Sequence, residues 1–186
     1  ARTSQENPEL WQARAEWADL CLKAGLCDQA IELYRQVVHL VPSNDEMRHR
    51  LIQALIWNDE TSAAAEACLE LADLYAAQNE FLEAKEMLHL LLQLEPQHVA
   101  ARRRLVDWSE EKVARHHLGI LGEHAFAQEI WPEVYAVYGQ ILDQDQANWM
   151  ARQRRLQAAA ALGHQGEAAV HGQRLLEHYC QSQQWL

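Results

Sequence analysis

The sequence predicts an all-α protein: a helical-hairpin solenoid of about ten antiparallel helices, wound as a right-handed superhelix. Three observations lead there. Val, Ile and Thr supply only 17 of the 186 residues, while Ala, Leu, Glu and Gln abound, a balance that favours helix over sheet. Long segments recur in the same order three times, the mark of a stacked array. Turn-forming residues punctuate the chain at helix-length intervals, and the short connections they leave make neighbouring helices antiparallel.

The elements follow in order. Asn7-Pro8 is a cap followed by Pro at the first helical position, and Gly25 with Asp28 separates the first helix from the second. Pro42-Ser43-Asn44 ends the second helix and starts a third over 45–57. Asn58-Asp59 and Asn79 bracket a fourth, Thr61 to Ala77. Pro96-Gln97 closes a fifth and opens a sixth over 99–108. Ser109, Trp131-Pro132 and Gly163 to Gly166 mark the remaining turns.

Repetition organises these helices. Ala30-Ile31-Glu32-Leu33-Tyr34, continuing through Val37, Leu40 and Pro42, returns 54 residues later as Ala84 through Leu88, Leu91, Leu94 and Pro96. A further shift of 50 reaches Val134, Tyr138, Ile141 and Gln146. Each segment runs on into a basic cluster: Arg48-His49-Arg50, Arg102-Arg103-Arg104, then Arg152 with Arg154-Arg155. Upstream of the segments lie Arg14-x-x-Trp17-Ala18-x-x-Cys21, Cys68-x-x-Leu71-Ala72-x-x-Tyr75 and Leu118-x-x-Leu121-Gly122-x-x-Ala125. These patterns resemble the tetratricopeptide repeat, a helix-turn-helix of about 34 residues. The segment 65–98 matches best, with Leu71, Ala72, Tyr75, Ala84 and Pro96 in place; 11–44, 115–148 and 149–182 match more weakly. The shifts of 54 and 50 exceed one repeat by about one helix each time, which assigns 45–57 and 99–108 as intervening helices. Either the array has three-helix units, or its helices alternate as hairpins with degenerate signatures. On both readings residues 1–186 form one repeat domain.

Composition limits the function. A formal charge of −11 and a pI near 5.3 are the wrong sign for gripping a phosphate backbone, so no nucleic acid is expected. The densest apolar run, Leu88 to Leu94, is interrupted by His89 and Gln93, so no membrane span is expected. Ala1 to Leu10 carries no apolar signal core, and free buried thiols suit Cys21, Cys27, Cys68 and Cys180, so a cytoplasmic location is expected. The chain does not begin with Met and is read as processed or excised from something longer. His164, His171 and His178 lie seven apart, too far along a helix to share one ion, so neither a metal nor a cofactor is expected. No phosphate-binding Gly loop and no nucleophile with a spaced base occurs, so no enzyme is expected.

The resemblance implies a protein-interaction scaffold that takes a peptide or protein partner in a helical-repeat groove. A helical regulatory or sensor module of a larger signalling or transcription-factor protein is the alternative. The carboxylate clamp that the resemblance would supply is missing: Ala15 and Asp19, then Leu69 and Asp73, stand at its positions. A concave face built from the first helices of the hairpins would present Gln12, Asp19, Lys23, Glu66, Asp73, His116, Glu123 and Phe126. That mainly acidic surface suits a basic or amphipathic peptide.

The matched arginines Arg48, Arg50, Arg102, Arg104, Arg152 and Arg154 form a second candidate, a ladder for an acidic or phosphorylated partner, expected to lie away from the acidic face. Its plainer reading is a solvated face paired with Asp45, Glu46, Asp107 and Glu110. Trp17 is expected in the core; the tryptophans read first as wedges between helices, with Trp57 and Trp108 the better candidates for facing a groove. The last helix, with Ala168, Ala169, Val170, Leu175, Leu176 and Tyr179 followed by Trp185-Leu186, is the expected surface for self-association.

Overall fold

The computed structural model describes residues 8–183, and side chains from Leu10 to Cys180. Trp185 and Leu186 lie outside the described residues, as does Asn7. The described residues form ten helices: α1 Pro8–Lys23, α2 Cys27–Leu40, α3 Asp45–Trp57, α4 Thr61–Ala77, α5 Phe81–Leu94, α6 Val99–Trp108, α7 Glu111–Ala127, α8 Trp131–Gln144, α9 Trp149–Ala161 and α10 Gln165–Gln183. They fall into two compact units. One holds α1 to α5 and the other, from Val99 onward, α6 to α10. Within each unit every helix packs against the next in sequence. No described helix is long and apolar enough to cross a membrane.

Five tight turns share one geometry. Gly25, Asp59, Asn79, Glu129 and Gly163 adopt positive φ, between 56° and 76°. The following amide reaches back to a carbonyl of the last helical turn: Leu26 to Cys21, Glu60 to Leu55, Glu80 to Tyr75, Ile130 to Ala125 and His164 to Ala159, at 2.8 to 3.0 Å. This is the left-handed helix stop that satisfies otherwise orphaned carbonyls. The wider loops, Val41–Asn44 and Asp145–Asn148, instead end in Asn44 and Asn148. Their side chains accept from the amides of Met47 and Ala151 at 3.2 and 3.0 Å, capping α3 and α9. Wide loops follow α2, α5 and α8, every third helix, although the helices alternate one by one.

Burial follows the repeat. Leu71 of α4 and Leu121 of α7 are buried, as are Ala64, Cys68 and Leu118 on the same faces. Trp17 occupies the matched position of α1 and was expected in the core, yet it is 58% exposed, with Leu10 and Leu20 exposed beside it. The difference is positional: α3 covers this face of α4 and α6 covers it on α7, whereas no described helix precedes α1. The small residues Ala15, Ala18 and Cys21 carry α1's core contacts instead. Leu175 of α10 is buried, while Val170, Leu176 and Tyr179 are exposed.

Candidate functional site

In a run of helices that each pack on the next, alternate helices share a side. Two of the grooves this makes in the first unit hold cavities. One has α1 and α3 as walls and α2 beneath, enclosing a cavity of about 530 Å³ lined by Asp19, Leu22, Lys23, Tyr34, Arg50, Gln53 and Trp57. The other has α2 and α4 as walls and α3 beneath, with a cavity of about 510 Å³. Its floor is Leu51 and Leu55, with Val38, Ala63 and Ala67 on the walls; Arg35, His39, Arg48, Glu66 and Glu70 line it as well.

The α1–α3 groove is built on a three-residue cluster. The Tyr34 hydroxyl donates to Asp19 Oδ1, and the Arg50 guanidinium donates to Asp19 Oδ2 at 2.7 Å and to Glu46 Oε1 at 2.6 Å. Burial first, and then the bond to Asp19, hold the Tyr34 phenol far above its ordinary range. Trp57 stands at the edge, 66% exposed.

The second unit repeats this cluster at the matched positions. The Tyr138 hydroxyl donates to Glu123 Oε1 at 2.6 Å, and Arg154 donates from Nε and a terminal nitrogen to both Glu123 oxygens at 3.0 and 2.9 Å. The Arg154 guanidinium also lies 3.8 Å from the centre of the Phe126 ring. Burial would raise the Glu123 carboxyl, but the bonds from Tyr138 and Arg154 outweigh it and hold the group below its usual range. Between the two, Asp73 and Arg104 stand at the matched positions, with Leu88 in place of the tyrosine.

This geometry rearranges the expected sites. Asp19 and Glu123 were placed on an acidic face and the arginines elsewhere, yet Arg50 and Arg154 are their direct partners. The single acidic surface also divides. Asp19 and Lys23 line the α1–α3 groove and Glu66 the α2–α4 groove, because α4 shares a side with α2 and not with α1. Asp73 lines an adjoining cavity with Arg48, Glu70 and Leu74. His116 lies edge-on against the buried His117, and a terminal nitrogen of Arg102 stands 3.4 Å from His117 Nδ1.

Arg48 and Arg152 brace the wide loops: Arg48 Nε donates to the Pro42 carbonyl at 3.0 Å, and Arg152 donates to the carbonyl of Gln146 at 2.5 Å. Of the anticipated carboxylate partners only Glu46 is used among the described pairs; Asp19, Glu70, Glu123 and Glu133 take the others. The tyrosine hydroxyls escaped the sequence reading. Their signal was present in the equal spacings, since Asp19, Tyr34 and Arg50 map onto Glu123, Tyr138 and Arg154 by one shift.

Among the described residues, no group of three or more His, Cys, Asp or Glu side chains is placed to hold a metal ion. The four cysteines are free thiols, and burial pushes the Cys68 thiol up to about 11.

No family model matches the chain, and no curated protein does. Solved structures similar to it include MamA, at 17% identity with 91% of each chain covered and a TM-score of 0.31. A tetratricopeptide repeat protein from Parabacteroides merdae shows 12% identity over 91% of this chain and 80% of its own, with a TM-score of 0.33. The pilF protein of Pseudomonas aeruginosa shows 15% identity over 92% of both chains, with a TM-score of 0.31. The helical-repeat architecture described above rests on the chain's own internal repetition and packing.

Proposed function

We propose that the chain is a non-enzymatic protein-interaction module that takes a peptide segment in the α1–α3 groove. The observation that carries this reading is the exposed Trp57 at the edge of a cavity whose polar wall is already fixed by the Tyr34–Asp19–Arg50 cluster. A large aromatic held at the rim of a preformed, partly apolar cavity has the character of an interface hot spot. Arg50 is satisfied by two carboxylates, so the groove is close to charge-balanced. An apolar or aromatic side chain of the partner fits against Trp57 and Leu22, with Lys23 and Asp19 left to fix its backbone.

Selection of a random peptide library against the whole chain tests this. Enriched peptides should lose about tenfold or more in affinity with Trp57→Ala, the scale expected of a hot-spot truncation. Trp149→Ala, an exposed tryptophan on α9, should leave their binding unchanged. Enriched peptides indifferent to Trp57 would overturn the assignment of the groove.

A further inference from the structure

The helices that form the α2–α4 groove of the first unit have sequence counterparts in the second. The chain shift that carries Pro42 to Gln146, Asn44 to Asn148 and Asp59 to Gly163 carries α2, α3 and α4 onto α8, α9 and α10. Both copies keep the loop-bracing arginine and the asparagine cap. Several groove-lining residues, however, change. Leu51 becomes Arg155, Ala67 becomes His171 and Glu70 becomes Arg174, while Arg35 becomes Gly139 and His39 becomes Asp143. Arg48, 3.7 Å from Glu70 in the first unit, corresponds to Arg152, which faces an arginine position instead.

The hairpin geometry agrees. Counting outward from the Gly163 turn, Arg155 on α9 and His171 on α10 lie at equal distance, and so do Arg152 and Arg174. Antiparallel packing of α9 on α10 therefore brings the four to two adjacent levels. Arg152 is only 8% exposed, and its one described hydrogen bond goes to the neutral Gln146 carbonyl. Arg155 lies over the Tyr135 ring, 4.5 Å from its centre, and donates to the Tyr135 hydroxyl at 3.0 Å. Gly139 makes room for it: a Cβ there would stand 3.3 Å from the guanidinium.

Two nitrogens, Arg155 Nε and His171 Nδ1, are buried with no hydrogen-bond partner. No described carboxylate stands within ion-pair distance of Arg152, Arg155 or Arg174. Burial first, and then Arg174 and Arg155, depress the Arg152 pKa; burial, Arg155 and Arg152 depress that of His171, with Glu167 opposing. A buried charge without a counterion is expensive, and here the buried Arg152 gathers with the half-buried Arg155 and the exposed Arg174 in a chain that is acidic overall.

We propose that the groove formed by α8, α9 and α10 binds a phosphoryl group, with Arg152, Arg155 and Arg174 as its counter-charges and His171 as a further donor. A phosphate monoester suits the set better than a carboxylate. It brings up to two negative charges to three cations, and three terminal oxygens to their guanidinium N–H donors. The shared chemistry admits free phosphate or a phosphorylated side chain of a partner. The site is independent of the Trp57 groove, so each assignment stands or falls by itself.

Calorimetric titration of the whole chain at low ionic strength tests the proposal with inorganic phosphate as one probe. The other is a basic-free peptide carrying phosphoserine, beside its serine and glutamate versions. The expected result is measurable binding of phosphate and at least tenfold tighter binding of the phosphopeptide than of the serine version. Saturation by inorganic phosphate with no added affinity from the peptide supports the site with a small phosphate as its ligand.

Arg174→Glu restores the first unit's ion pair; it should abolish binding while melting no lower than the parent, and Arg155→Leu should weaken binding at least tenfold. Arg174→Ala serves if the reversal misfolds. Equal affinity for the glutamate and phosphoserine peptides would overturn the phosphoryl assignment. Binding that survives both Arg174 variants, or absence of binding by either phosphate probe, would overturn the site.

Discussion

In the first unit Arg48 braces the Pro42 loop and faces Glu70 across a groove floored by Leu51. In the second, Arg152 braces the Gln146 loop and is pressed by Arg174 across a floor occupied by Arg155. On the other side the two copies agree in the roles of matched residues: tyrosine to carboxylate to arginine, Tyr34–Asp19–Arg50 and Tyr138–Glu123–Arg154. The difference separates two demands on one repeat. The cluster ties three successive helices together, since its members come from α1, α2 and α3 or from α7, α8 and α9. The helices of the opposite side pack in both copies although their lining residues differ, so packing alone does not fix the chemistry there.

The strongest test of this difference moves the basic lining into the first unit. Leu51→Arg would place a guanidinium at a buried position where Arg35 stands in place of Gly139, so neither space nor a stacking partner awaits it. A loss of about 3 kcal/mol or more is expected in denaturant unfolding, the scale of an unpaired buried charge. A cost below about 1 kcal/mol would show that the groove accepts a cation without the features that surround Arg155.

A second difference lies at the small position under the tyrosine. Ala18 supports Tyr34 in the first copy, whereas Gly122 lies under Tyr138, and a Cβ there would sit 2.8 Å from the Tyr138 ring. Gly122→Ala should therefore destabilise by about 1–3 kcal/mol, as overpacking does. An unchanged melting temperature would mean that the ring shifts at no cost and that the two copies are interchangeable there.

Much of this was legible in the sequence. The 54- and 50-residue shifts exceeded one repeat by about a helix each time, and the extra helices over 45–57 and 99–108 are α3 and α6 to the residue. Gly25, Asp59, Asn79 and Gly163 marked turns because left-handed backbone favours Gly, Asn and Asp. Glu129 adopts the same conformation without that signature.

Which side of the array each residue faces was not legible. Layering alternates every helix while the sequence repeats every third, so residues at matched positions, such as Asp19 and Asp73, need not share a side. Burial at the start of the array escaped the pattern for a related reason: Trp17 fits the repeat but has no preceding helix over it among the described residues. Ion pairs across 31 residues, such as Asp19 to Arg50, are set by packing and leave no local trace.

Where the copies agree, equal substitutions should have equal effects. Asn44 and Asn148 cap α3 and α9 by the same bond. Asn44→Ala and Asn148→Ala should each cost about 1 kcal/mol, read as a shift in the denaturation midpoint. A much smaller cost for one would show that its loop is held by the bracing arginine instead of the cap.

The pH response of the two clusters gives the finest comparison. Tyr34 and Tyr138 both have phenols raised by burial and by their carboxylate partners. A raised folded-state pKa contributes stability that is complete below the unfolded value, about 10, and is lost as pH climbs through the folded one. Both units should therefore weaken in alkali, and Tyr34→Phe and Tyr138→Phe should flatten that decline. In acid the sign reverses. Glu123 is held low, so its contribution is present above the unfolded value of about 4.3 and fades as pH falls through the folded value. The carboxylate is half exposed, so the effect should stay below about 1 kcal/mol. It is measured by comparing midpoints at pH 7 and pH 3 for the parent and Glu123→Gln. A variant that keeps the parent's acid dependence would show that the Tyr138–Glu123–Arg154 cluster positions its helices by geometry alone.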